Sequence, residues 1–232
     1  MTAIDPETAN DEVEATMTNQ LLDSVEKRLD PVHAAVMVID MQNDFCAEKG
    51  YVERVVGKST SACRAVVPAI MDLVGAARDR GVPVFWIKAN YDPDRLPEGM
   101  LVKQREKSAE ICCATGSWGH DFYGVSAAEG EPIIEKSCYS AFIGTGVEEQ
   151  LRRRGIRTLV FTGVQTNVCV ESSLRDAVCR GFYAVLATDC VASHTAPLHE
   201  ATLNNVRFLF GDVLDRAAII DAWTVKAKEP AA

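Results

Sequence analysis

Three residues of the kinds that make a nucleophilic hydrolase stand at or just beyond the ends of short apolar runs in this 232-residue chain. Asp40 follows residues 34–39, Lys136 follows 132–135, and Cys169 comes shortly after 158–162, at the start of a helical stretch. A thiol at a helix N-terminus has its thiolate favoured by the helix dipole and by free backbone N–H groups, and a nearby ammonium lowers its pKa further. Lys136 would supply that ammonium. Asp40 would take the thiol proton and later return it to a leaving nitrogen, as general base and then general acid. Backbone N–H groups in the turn 164–167 would face a developing oxyanion. Taken singly, each residue has a plainer role. A cysteine in an apolar helix packs as a small hydrophobe, an aspartate ending a strand caps it, and a lysine is a solvated charge. Their shared position is what points to chemistry.

That position has meaning only if the surrounding elements bring the three together. Residues 34–39 (AAVMVI) form a continuous apolar run, as in a strand buried on both faces. Helical spacing runs through 62–80 (Val66, Ile70, Leu73, Val74, Ala77) and stops before Gly81. Further strands are expected at 82–87, 132–135, 158–162 and 183–187, with a short sixth after a helix at 199–208. Other helices are expected at 146–154 and 168–180. This alternation predicts an α/β fold with right-handed crossovers: a three-layer α/β/α sandwich on a mainly parallel, doubly wound, six-stranded sheet. Ligands of such sheets bind beyond the carboxyl ends of the strands, where Asp40, Asn90, Lys136, the segment 163–169 and Asp189 are expected. Residues 90–130 show no clear period and are long for a connection, which suggests a lid or binding loop.

The formal charge is -9, but it is uneven. Residues 1–30 hold eight acids and two bases, and the remaining 202 are close to balance. The body therefore offers no basic stripe for nucleic acid and no polybasic patch for a membrane. No run approaches ~18 apolar residues, and the acidic start lacks the apolar segment of a signal peptide, so a cytoplasmic protein is expected. Eight cysteines among 232 residues are far short of the ~8–10% of a disulfide scaffold, and they form no C-x-x-C pair or zinc pattern. Reduced thiols are expected. Cys46 and Cys138 lie beside the first two motifs, and Cys63, Cys179 and Cys190 read as packing residues. Cys112 and Cys113 have no evident role. Residues 1–30 read as an acidic arm, partly helical from Glu14 to Leu29, either solvated or packed on a neighbouring subunit. Residues 31–232 read as the hydrolase domain. A homo-oligomer, dimer or tetramer, is expected.

The segments VIDMQNDF (38–45), EKSCYSAF (135–142) and TGVQTNVCVESSLRDA (162–177) resemble the isochorismatase-like cysteine hydrolases, and the likeness spans about residues 33–225. It implies a catalytic triad of Asp40, Lys136 and Cys169 and a non-proline cis peptide at Val164–Gln165. It also implies an oxyanion hole from the backbone N–H groups of Gln165 and Cys169. True isochorismatases of the family lack the nucleophilic cysteine, so that activity is disfavoured. Nicotinamidases of the family carry a metal on an Asp and two His soon after the second strand. The corresponding stretch here, KANYDPDR at 88–95, has no histidine. His33, His120, His194 and His199 do not follow the metal spacing, so neither metal nor cofactor is expected. Asn90 with Tyr91, Gly116-Ser117-Trp118, YSAF at 139–142 and RGIR at 154–157 look more like the ureidoacrylate amidohydrolase branch.

The expected protein is a cysteine-dependent amidohydrolase. It would cleave the C–N bond of a small N-carbamoyl (ureido) compound such as ureidoacrylate, releasing carbamate and thence ammonia and CO2. Biuret or triuret hydrolysis, or a nicotinamidase-like amide cleavage, would use the same machinery. A non-catalytic binding or scaffold protein on the same fold is the reading from another class. Asn90, Tyr91, Trp118, Tyr139 and Gln165 are candidates to line the substrate pocket, with ordinary packing as their plainer role. Arg95, Lys103 and Arg105 are candidates to hold a substrate carboxylate, against the alternative of solvated loop ion pairs. Asn205 stands where this branch often keeps an asparagine, although a helix-surface role fits as well.

Overall fold

The structure, a computed structural model, describes residues 21–226. Six strands form one sheet: β1 (Ala34–Ile39), β2 (Val84–Ala89), β3 (Ile133–Lys136), β4 (Thr158–Val164), β5 (Tyr183–Ala192) and β6 (Asp212–Leu214). Their order is β3-β2-β1-β4-β5-β6, and every neighbouring pair is parallel. The order reverses between β1 and β4, and that switch point opens a crevice beyond their carboxyl ends. Around the sheet lie α1 (Val25–Arg28), α2 (Asn43–Cys46), α3 (Ser61–Ala65), α4 (Val67–Asp79) and α5 (Glu98–Lys107). They are followed by α6 (Val147–Arg153), α7 (Glu171–Cys179), α8 (Ala196–Asn205) and α9 (Arg216–Lys226).

The apolar runs explain the central strands. Every residue of β1 and of β4 is buried. Successive side chains of a strand point to opposite faces, so each run feeds two cores. Ala35, Met37 and Ile39 enter the core roofed by Leu151 of α6, Leu174 of α7 and Leu203 of α8. Ala34, Val36 and Val38 enter the core roofed by Ile70 and Leu73 of α4 and Ile219 and Trp223 of α9. The sandwich has its three layers, and the sheet is wholly parallel.

Several boundaries differ from the sequence reading. The helix expected at 62–80 is two helices, because Pro68 lies in the first turn of α4, where its missing N–H costs no hydrogen bond. β5 extends to Ala192, so Asp189 lies within the strand rather than beyond it. Its carboxylate accepts from the Arg216 guanidinium and backbone N–H at the root of α9, away from the crevice. Within 90–130, where no period was evident, lies α5. Its sequence EGMLVKQREK has no buried residue, so no apolar stripe marked it. Of the helix expected from Glu14 to Leu29, α1 is its described part, and residues 1–20 lie outside the described residues. Leu22 and Leu29 are buried, and Arg28 Nε donates to Asp212 Oδ2 of β6 at 2.7 Å. Residues 21–30 are thus fastened to the sheet's far edge. Among the described residues no helix is long and apolar enough to cross a membrane.

Candidate active site

Asp40 is the first residue past β1. It adopts a left-handed backbone (φ +52°), unusual for a residue with a side chain, and its N–H donates to Ile87 O at 2.9 Å. Two residues on, the buried Gln42 clamps the neighbouring strand end. Its amide donates to Ala89 O (3.0 Å) and His120 O (2.9 Å) and accepts from Ala89 N (2.7 Å). Lys136 ends β3, in register with Ala89 of β2. Its ammonium donates to Asp40 Oδ2 at 2.8 Å and to Cys138 O at 3.1 Å. Both partners are almost wholly buried. Asp40 Oδ1 is buried without a hydrogen-bond partner among the described residues, and so has lone pairs open to a proton.

Cys169 comes from the other side of the switch point. The peptide Val164–Gln165 is cis. The chain then makes a π-helical turn, Thr166–Val170, before α7 begins. Gly163 allows β4 to approach β1 this closely: its φ is +102°, and a Cβ there would stand 2.0 Å from Ile39 O. Ser173 Oγ donates to Cys169 O (2.7 Å) and accepts from Ala141 N (2.9 Å), tying the turn to the segment after Lys136. Tyr91 bridges the group, with its hydroxyl 3.6 Å from Cys169 Sγ and its ring centroid 5.7 Å from Lys136 Nζ.

The electrostatics correct one expectation. A thiol with a lowered pKa was expected at a helix start. Instead, burial and then the Asp40 carboxylate push the Cys169 thiol up to about 12, with Lys136 only partly opposing them. Cys169 lies in the π-helical turn rather than at the start of α7, and its neighbouring ammonium is already paired with Asp40. Burial also raises Asp40 above the usual aspartate value, against the pull of Lys136. For Lys136, burial acts downward, but Asp40 and Cys169 lift it overall. The arrangement is therefore a thiol held against ionisation beside a buried Lys136–Asp40 ion pair.

Asp40 and Cys169 sit at the floor of a cavity of about 300 Å³. Phe45, Tyr51, Val52, Tyr91 and Met100 give it apolar walls, and Tyr139, Gln165, Asn167 and His194 line another side. Lys103, Gln104 and Lys107 of α5 close it from above. Of the residues expected to bind substrate, Tyr91, Tyr139 and Gln165 are here. The Gln165 side chain is engaged, however: its Oε1 accepts from His194 N at 2.9 Å, and its Nε2 lies 3.4 Å from Cys63 Sγ. Asn90 is buried elsewhere, donating to Thr115 Oγ1 at 2.9 Å. Trp118 is 55% exposed and does not reach the cavity. Among the basic candidates only Lys103 lines the cavity, with its ammonium paired to Glu106 at 2.7 Å; Arg95 lies outside it, paired with Glu135 at 3.0 Å, and Arg105 borders a separate groove. Asn205 makes only a long contact with Glu171, at 3.4 Å.

Sequence reasoning missed Phe45, Gln104, Lys107 and His194. The spacing of Lys103 and Lys107, four residues apart, becomes informative only once α5 is known to be a helix. All eight cysteines are free. Cys179, expected to pack, is exposed, whereas Cys46, Cys63 and Cys190 are buried. The unassigned pair Cys112 and Cys113 is buried beside Asp44, and among the described residues the ligand atoms of these three lie within 4.8 Å of one another.

Residues 34–218 match the family described as Isochorismatase domain. A ureidoacrylate amidohydrolase RutB from Methylobacterium radiotolerans is 36% identical over 222 residues, covering 88% of this chain and 84% of that protein. One of the same name from Cronobacter sakazakii is 32% identical over 212 residues, covering 85% and 91%. The crystal structure of a cysteine hydrolase from Pseudomonas syringae pv. phaseolicola superposes with a TM-score of 0.77 at 24% identity, covering 85% of this chain and 95% of that one.

Proposed function

The chain belongs to the isochorismatase family, as a hydrolase of carbon–nitrogen bonds other than peptide bonds, and within it we propose a cysteine amidohydrolase acting on a small N-carbamoyl compound that bears a carboxylate, such as ureidoacrylate. The observation that carries the reading is the Lys136–Asp40 pair beside Cys169 at the floor of the cavity. The relatives named ureidoacrylate amidohydrolase support the choice of substrate. So does the roof of the cavity, which Lys107 lines together with Lys103, whose ammonium would exchange its exposed partner Glu106 for a substrate anion.

In this mechanism Cys169 Sγ attacks the ureido carbonyl carbon. Because the thiol is neutral at rest, its proton passes to Asp40 during the attack rather than before it. Asp40 is suited to this, since burial has raised its basicity and Oδ1 is open. Lys136 holds Oδ2 and balances the charge. The backbone N–H groups of Gln165 and Cys169 receive the oxyanion. As the C–N bond breaks, Asp40 returns the proton to the leaving nitrogen, and an S-carbamoyl cysteine remains. Water, deprotonated by Asp40, adds to this thiocarbamate. Its collapse breaks the C–S bond, the Cys169 sulfur takes the proton back from Asp40, and carbamate leaves and decomposes to ammonia and CO2. Tyr91 and Phe45 keep bulk water from the reacting carbon.

The deciding measurement is ammonia release across ureidoacrylate, an N-carbamoyl amino acid, biuret, triuret and nicotinamide. The carboxylate-bearing ureido compounds should give the highest kcat/KM. A preference for nicotinamide, or for uncharged biuret, would overturn the substrate assignment. Full activity in Cys169→Ala would overturn the mechanism.

A further inference from the structure

The reaction leaves unused two sulfurs at the cavity wall, one lining it and one behind. Cys112 lines the cavity, and Cys113 lies directly behind it, fully buried. Adjacent side chains on an extended chain point to opposite sides. Here Cys113 has a left-handed backbone (φ +52°), and the two Sγ atoms lie 3.8 Å apart. Facing them is Asp44 of α2, a buried carboxylate fixed by backbone N–H groups, from Cys113 to Oδ2 at 2.7 Å and from Tyr51 to Oδ1 at 3.1 Å. Each oxygen keeps a further lone pair. Gly119 closes the cluster: a Cβ there would meet the Asp44 carboxylate at 2.2 Å, and its carbonyl lies 3.8 Å from Cys113 Sγ.

We propose that Cys112, Cys113 and Asp44 form a binding site for a thiophilic divalent cation of the zinc or cadmium kind. Zinc–sulfur bonds of about 2.3 Å at a tetrahedral angle place two sulfurs about 3.8 Å apart, so the pair needs little movement to receive the ion. The carboxylate supplies the third ligand, and the cavity side gives water access to the fourth position. Binding replaces two S–H bonds by two S–metal bonds and releases two protons to solvent, leaving the site with one net negative charge. No oxidant or reductant is involved. An ion there clasps the segment that follows α5 onto α2, and so fixes the roof of the cavity over its floor. The donors belong to α2 and to the segment between α5 and β3, not to Asp40, Lys136 or Cys169.

The test uses the full-length Cys169→Ala protein, which removes the competing reactive thiol, titrated with cadmium. One ion per chain should bind with an ultraviolet thiolate-to-cadmium charge-transfer band, and X-ray absorption at the metal edge should count two sulfurs among its neighbours. Adding Cys112→Ser should weaken binding by about tenfold or more, since one soft donor is lost. Circular dichroism of that variant confirms its fold. Absence of the band in the folded Cys169→Ala protein would overturn the proposal. So would a sulfur count of one or none, or a band unchanged by replacing both Cys112 and Cys113, which would place the ion at another thiol such as Cys46 or Cys63.

Discussion

The floor and the roof of the cavity are built in opposite ways. The floor hangs from β1, β3 and β4, whose ends are buried, hydrogen-bonded and held by Gln42, Gly163 and Ser173. The roof is α5, a polar helix with no buried residue. Groups that must hold a reacting atom within a fraction of an ångström sit on the first kind of support. Groups that select a substrate by charge can sit on the second. Chemistry and selectivity should therefore respond to mutation on different scales.

The largest effect should come from Cys169→Ala, which removes the proposed nucleophile and should lower kcat at least ~10⁴-fold without loss of fold, measured by ammonia release. Lys136→Met strikes the floor next. It leaves the Asp40 carboxylate buried and unpaired, a loss of about 3–5 kcal/mol, which should appear as a fall in Tm on the order of 10 °C together with inactivity. The pH profile examines the same pair without mutation. The reaction needs Asp40 ionised, and its pKa is raised, so kcat/KM should fall on acidification at a pH above the ordinary aspartate value of 3.8. No alkaline limb from Cys169 should appear near pH 8–9, because burial and Asp40 push that thiol up to about 12. A rise of activity tracking a thiol pKa near 7 would mean that a resting thiolate attacks. On the roof, Lys103→Ala combined with Lys107→Ala should raise KM for a carboxylate-bearing substrate by about tenfold and change kcat little. An equal loss in kcat would show that α5 orders the reacting groups, and the contrast with the floor would fail. Smallest of all, Asn205→Ala should leave kinetics unchanged and shift stability by no more than about 0.5 kcal/mol.

The same division governs what could be read from the sequence. The strands of the floor were legible because burial on both faces requires uninterrupted apolar runs, as in AAVMVI, and a residue just past such a run is placed at the sheet's edge by topology alone. The resemblance then implied roles for Asp40, Lys136 and Cys169, and it located the cis peptide at Val164–Gln165. The roof was illegible because a helix that buries nothing leaves no period to read, and with α5 unseen, Lys103 and Lys107 had no common face. Asn90 and Trp118 followed the motif pattern, yet their side chains turn to Thr115 and to the outside surface. The Cys169 pKa failed for another reason. Helix dipole and ammonium were weighed, but the depth of burial and the prior claim of Asp40 on Lys136 exist only in three dimensions.

The close approach at Gly163 has a consequence for motion. With no side chain between them, the end of β4 and the end of β1 have almost no room to slide past each other, so the segments carrying Asp40 and Cys169 should move as one body. On this reading the two should separate only with loss of the central sheet. On slow heating, amide hydrogen exchange at Ile39 and Gly163 should rise together and only at the global transition, whereas the amides of α5 should exchange far earlier. The enzyme would then lose its grip on substrate at temperatures where its reacting groups are still assembled.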